Sequence, residues 1–136
     1  MTTEPSGQKK VADGGMVIPC TSDTFIRAWL EVVKPMHKLA PREMDIAAAI
    51  LMKRKKLTDS IKDEKVVNVD RMLFSREGKK ELIEELHITE TYLRAVLRSL
   101  RSGGILIGNT INPVYLLDWE PGKPFRWVFI FKNEIR

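Results

Sequence analysis

The spacing of apolar residues divides the chain into three stretches. Before residue 16 there is almost nothing to bury. From Phe25 to Leu100 apolar positions recur at three- and four-residue intervals, the period of an amphipathic helix. From Ile105 onward the period shortens to that of a strand.

In the helical stretch, Phe25, Trp29, Val32 and Val33 share one face of a first helix. It is predicted to start after a Ser22–Asp23 cap and to end at Pro35. Pro41 suits the first turn of a second helix, with Glu43 and Asp45 near the positive end of its dipole. Met44, Ala47, Ala48 and Leu51 form its buried stripe, flanked by Ile46 and Ile50, and it closes on the run Lys53-Arg54-Lys55-Lys56. Asp59 to Phe74 fits a short strand at Val66 to Val69 or a helix running into Phe74. The helix is preferred, because Ile61, Val69, Met72 and Leu73 lie near one face.

The next stretch carries the strongest local signals. Ser75 caps a helix through Leu86, with Leu82, Ile83 and Leu86 turned inward. A tight break at His87-Ile88 follows. Thr89 then caps a helix from Glu90 to Ser102 whose apolar residues Leu93, Val96, Leu97 and Leu100 sit at i, i+3, i+4 and i+7. Gly103-Gly104 stops it. Beyond it, the pattern predicts a strand Ile105 to Ile107, a turn Gly108-Asn109-Thr110, a strand Val114 to Trp119, a turn Pro121 to Pro124 and a strand Phe125 to Phe131. The predicted class is α+β and mostly helical, with a small C-terminal antiparallel sheet.

Composition narrows the function. The chain has 136 residues, enough for one domain with a real core. The longest apolar run, Ile46 to Met52, is seven residues, far short of the roughly 20 a membrane helix needs. No secretion signal is visible in the polar start. A single cysteine, Cys20, excludes an internal disulfide framework, and with only His37 and His87 it argues against a zinc site. No metal, no cofactor and no membrane are expected. The net charge of +5 permits nucleic-acid binding without requiring it.

The segment SREGKKELIEELHITETYLRAVLRSLRSGGILIGNTINPVYLL, Ser75 to Leu117, resembles the winged helix-turn-helix superfamily. It covers about a third of the chain. Gly104-Ile105-Leu106 and Ile111-Asn112-Pro113-Val114-Tyr115-Leu116 are similar to segments in winged-helix domains of plasmid replication initiators and uncharacterised phage proteins. Composition makes residues 1–15 a flexible polar tail; with the resemblance, residues 16–57 are expected to form an N-terminal helical extension and residues 58–136 a winged-helix domain. The resemblance also implies DNA binding, although members of the superfamily also serve as protein-docking modules, and fold alone does not choose.

The candidate site follows from spacing. Arg94, Arg98 and Arg101 fall at i, i+4 and i+7 on one face of the second helix of the pair, with Thr91 beside them. Arginine pairs bidentately with guanine in the major groove or neutralises phosphate. The same face fits a solvated surface with arginine stems covering apolar area. Arg76, Lys79 and Lys80 cluster at the start of the preceding helix, as phosphate contacts, and Glu84 and Glu85 lie at its far end. From Ser75 to Gly104 six basic residues meet five acidic ones, a modest excess for a DNA reader. Asn109 and Thr110 would sit at the wing tip, where a plain hairpin turn competes with a backbone or minor-groove contact. The Lys53 to Lys56 run either grips phosphates or complements its own helix dipole.

Six of the ten aromatic residues lie between Tyr115 and Phe131. The strand Phe125 to Phe131 is apolar on both faces, so it is central or meets another subunit. No phosphate-binding loop, nucleophile with a base, or carboxylate pair suggests an enzyme. The leading expectation is a non-catalytic protein of a bacterial or phage-infected cytoplasm that binds double-stranded DNA as a transcriptional regulator or replication initiator. Homodimer or larger-assembly contacts would run through the Phe125–Phe131 strand and the N-terminal segment. The competing expectation is a structural adaptor that docks into an assembly such as a phage virion.

Overall fold

The computed structural model describes residues 9–10, 16–17, 19–60, 69–117, 119–120 and 122–125. It is mostly helical with small antiparallel strand pairs, an α+β architecture. In chain order the elements are β1 (Lys9–Lys10), β2 (Met16–Val17), α1 (Ser22–Val32), α2 (Lys34–His37), α3 (Pro41–Ser60), α4 (Val69–Leu73), α5 (Arg76–Leu86), α6 (Glu90–Ser102), β3 (Leu106–Ile107) and β4 (Thr110–Ile111), followed by a 3-10 turn over Pro113–Tyr115. Among the described residues no helix is long and apolar enough to cross a membrane.

The helix ends follow local chemistry. Thr21, one residue before the expected cap, is the N-cap of α1, and its backbone N–H donates to the Thr24 hydroxyl at 3.3 Å. Pro35 does not end α1. The helix breaks at Val33, and Pro35 occupies the first turn of α2, where its missing N–H costs nothing. The Ser75 hydroxyl accepts from the Gly78 N–H at 3.0 Å and the Thr89 hydroxyl from the Tyr92 N–H at 3.0 Å, so both caps fall where the sequence places them. His87 closes α5 in the left-handed region. At the end of α6, Ile105 N–H reaches Leu100 O at 2.9 Å and Gly104 N–H reaches Arg101 O at 3.2 Å. This double closure needs a positive φ at Gly104, which glycine adopts without a Cβ penalty.

The core draws on every major helix. Ile26, Trp29, Leu30 and Val33 of α1 meet Met44, Ile46, Ala47, Ile50 and Leu51 of α3, with Leu82 of α5 and the Leu93, Val96, Leu97 and Leu100 stripe of α6. Each fully buried aliphatic side chain contributes about 1.5–3 kcal/mol relative to exposure. Val32, assigned to the buried face of the first helix, is exposed, and Ile26 and Leu30 are buried in addition to Trp29 and Val33. The α3 helix runs past the basic run to Ser60, so the expected boundary between residues 57 and 58 falls inside a helix. Lys9 and Lys10, placed in the tail, pair antiparallel with Val17 and Met16.

The end of the chain departs most from expectation. Leu106 pairs with Ile111 and Ile107 with Thr110 across a two-residue Gly108-Asn109 turn. The second strand is therefore Thr110–Ile111, beginning at the last residue of the expected turn. Where the sequence predicts a strand Val114 to Trp119, the described residues instead form a 3-10 turn over Pro113–Tyr115 and then irregular chain. Asn112 causes the change. Its side chain accepts from Val114 N–H at 3.1 Å and donates to Gly104 O at 2.8 Å, and Pro113 then has no N–H to give a ladder. Tyr115 turns inward and meets Trp29 edge-on, centroids 5.4 Å apart. Trp119 and Phe125 flank Phe25 at 5.2 and 5.0 Å. The strand expected beyond Phe125 lies outside the described residues, as does the segment 61–68.

Candidate functional site

The α5 and α6 helices are joined by only His87, Ile88 and Thr89, so their apolar faces converge on one core while their outer faces border a cleft. Arg76, Lys79 and Lys80 of α5 and Arg94 and Arg101 of α6 line it, with Glu90 the single acid and Ile83, Leu93 and Leu97 at its floor. Its volume is about 660 Å³. The structure thus brings together five of the predicted site residues from two separate helices. Thr91, Arg98 and Asn109 are exposed but do not line this cleft.

The three arginines of α6 differ in what they hold. Arg94 faces Glu90 at 3.4 Å, an i,i+4 pair exposed on both sides and worth little. Among the described residues Arg98 makes no hydrogen bond or ion pair. Arg101 is engaged: its Nε donates to Gly108 O at 2.9 Å and its Nη2 to Asn109 Oδ1 at 2.9 Å. Two predicted DNA contacts, Arg101 and Asn109, therefore bind each other.

Charge on α5 is segregated by face. Arg76, Lys79 and Lys80 border the cleft, whereas Glu81 and Glu85 turn toward α3 and hold Lys53 at 3.3 and 2.6 Å. Burial alone would lower the Lys53 ammonium; hydrogen bonds and charge from Glu85 and Glu81 outweigh it and hold the group above its ordinary value. Arg54 and Lys55 of the basic run are also committed. Arg54 Nε meets Asp70 Oδ1 at 2.6 Å, and Lys55 pairs with Asp59 and lies 4.9 Å from the Trp119 ring centroid. Only Lys56 is fully outward. The phosphate-gripping reading of this run does not fit these contacts, since three of its four cations tie α3 to its surroundings.

Asp70 was missed by sequence reasoning. It is buried, and its second oxygen accepts from the Ile111 N–H at 3.3 Å, so one carboxylate joins α3, α4 and β4. An acid inside the apolar stretch Val69 to Phe74 was the available signal. His37 is buried and structural: Nδ1 accepts from Leu39 N–H at 3.0 Å, leaving Nε2–H to donate to Leu30 O at 2.9 Å. Near the start of α3, the Ser99 hydroxyl of α6 and the Ala40 N–H hold the Glu43 carboxyl below the usual carboxylate range. Arg42 lies over the Tyr92 ring at 5.4 Å, a further link between α3 and α6.

The α5–α6 pair is also fixed from below. A Cβ at Gly78 would overlap the carbonyl oxygens of Met72 and Leu73, so glycine is what lets α5 approach the end of α4. Comparison with protein-family models, curated proteins and solved structures finds no match for the chain. The chemistry of the site rests on its geometry: a concave, cationic surface suited to an extended polyanion.

Proposed function

We propose that the protein is a non-catalytic double-stranded DNA-binding protein of the winged-helix type, serving as a transcriptional regulator or replication initiator. The observation that carries this reading is the convergence of five cations and one acid on the cleft between α5 and α6. In this reading α6 approaches the major groove with Thr91, Arg94 and Arg98 outward. Arg76, Lys79 and Lys80 neutralise phosphates, and the β3–β4 hairpin is the wing.

The test is a fluorescence anisotropy titration of a random duplex of roughly 30 base pairs at two salt concentrations. Micromolar binding that weakens steeply with salt supports the reading. Absence of binding at low salt overturns it. Replacing Arg94 and Arg98 together with alanine is expected to lower affinity and flatten the salt dependence; unchanged binding would remove these two from the interface.

The adaptor reading draws on a different observation. Val32, Met36, Met72, Ile107, Val114 and Leu116 are all exposed. Self-association or partner docking without duplex binding favours that reading.

A further inference from the structure

We propose that Arg101 and Asn109 form a clamp that fixes the hairpin to α6 before DNA arrives. Both then act on DNA affinity by positioning the wing rather than by touching bases. The proposal rests on the DNA-binding reading above.

The buried Leu106 and Ile111 anchor the base of the hairpin, but not its tip. Each strand is two residues long, and an isolated two-stranded hairpin of any length is marginal in water. Its tip, Ile107 to Thr110, is exposed throughout. Its base is tied inward by Ile111 N–H to Asp70, by Asn112 N–H to Ile105 O at 2.8 Å, and by the Asn112 side chain to Gly104 O. None of these reaches the tip.

Arg101 does. Two of its donors form a fork onto the two turn residues, one onto the Gly108 carbonyl and one onto the Asn109 amide oxygen. A planar guanidinium can hold both acceptors at once, whereas a lysine ammonium is a point charge without that fork. A guanidinium has five N–H donors, so the fork leaves donors and the full charge on the cleft, which Arg94 and Arg76 also line. The hairpin is thus set in angle against α6 in the free protein, and its ordering is not charged to the binding step.

The experiment separates clamp from charge. Arg101→Lys keeps the charge and loses the fork; Asn109→Ala removes one acceptor and no charge. Amide hydrogen exchange of Ile107 to Thr110 is measured in the free proteins, with thermal melting as a check of folding. Duplex binding is then titrated against salt. Both variants are expected to exchange faster at the tip and to lose affinity by about threefold to tenfold. Their salt slopes should match the parent, and the double variant should be no weaker than the worse single one. Arg101→Ala should in addition lower the slope by about 0.9 if the residual charge faces a phosphate.

Parental protection and affinity in Arg101→Lys would overturn the clamp and leave Arg101 as a charge alone. Full additivity of the two substitutions would also overturn it. If the parent binds no duplex at low salt, the DNA-binding reading fails and takes the role in DNA affinity with it. Tip exchange in the same samples shows whether the clamp itself failed.

Discussion

Two basic regions of this molecule look alike in sequence and differ in structure. The run Lys53 to Lys56 has the higher charge density. Yet Lys53, Arg54 and Lys55 are bound to Glu81, Glu85, Asp70 and Asp59 within the fold. The α5–α6 set is more dilute and alternates with acids, but Glu81 and Glu85 are drawn away to α3, and Arg76, Lys79 and Lys80 are left on the cleft with Glu90 its single acid. A cation is available to a ligand only if the fold has not already paired it. Local charge density does not report that: Asp59 is only four residues from Lys55, but the partners of Lys53 and Arg54 lie from 16 to 32 residues away.

The comparison can be broken most strongly at Asp70. Asp70→Ala strands the Arg54 guanidinium and the Ile111 N–H, and is expected to cost about 3–5 kcal/mol in chemical denaturation, the range for breaking a buried pair. A loss below about 1 kcal/mol would mean that Arg54 is solvated and that its run is as open as the α5–α6 set.

On the other side, Arg76→Ala, Lys79→Ala and Lys80→Ala together should leave stability within about 0.5 kcal/mol of the parent. If these side chains meet phosphates, the salt slope of duplex binding falls by about 0.9 per contact removed. A destabilised triple variant with an unchanged slope would reverse the roles assigned to the two regions.

A smaller effect is expected at Lys53. Lys53→Ala removes two ties between α3 and α5, worth about 0.2–1 kcal/mol each at an exposed carboxylate, and should leave duplex affinity unchanged. A marked loss of affinity would return the run to the interface.

The smallest is the pH dependence of Glu43. Its folded-state value is depressed, so its contribution is present above the ordinary carboxylate range and is lost as pH falls through the folded-state value. The stability difference between the parent and Glu43→Gln, followed by urea denaturation, should shrink as pH is lowered through that window. A constant difference would place the effect in packing and not in charge.

Much of the helical frame was legible because its determinants are local. Ser75 and Thr89 cap by reaching backbone three residues on, and Gly104 ends α6 within one turn. The Leu93 to Leu100 stripe is buried as its period requires. The strand expected at Val114 was not legible, because Asn112 bonds to Gly104, eight residues back, and diverts the chain before a ladder can form. The candidate site was half legible. Spacing placed Thr91, Arg94, Arg98 and Arg101 on one helix, but it gave no sign that Arg101 would be held by Asn109, eight residues away across the hairpin turn.

By itself the sequence determined the α+β class, the α5–α6 pair with its caps, and which residues line the outer face of α6. These depend on hydrogen bonds and periodicities spanning a few residues. Only the tertiary structure decided which charges are spent and which are open, that Asp70 joins three elements, and that the hairpin is braced from α6. Those outcomes come from contacts between distant segments, where burial makes an unpaired charge costly and so forces each cation near the core to find its acid.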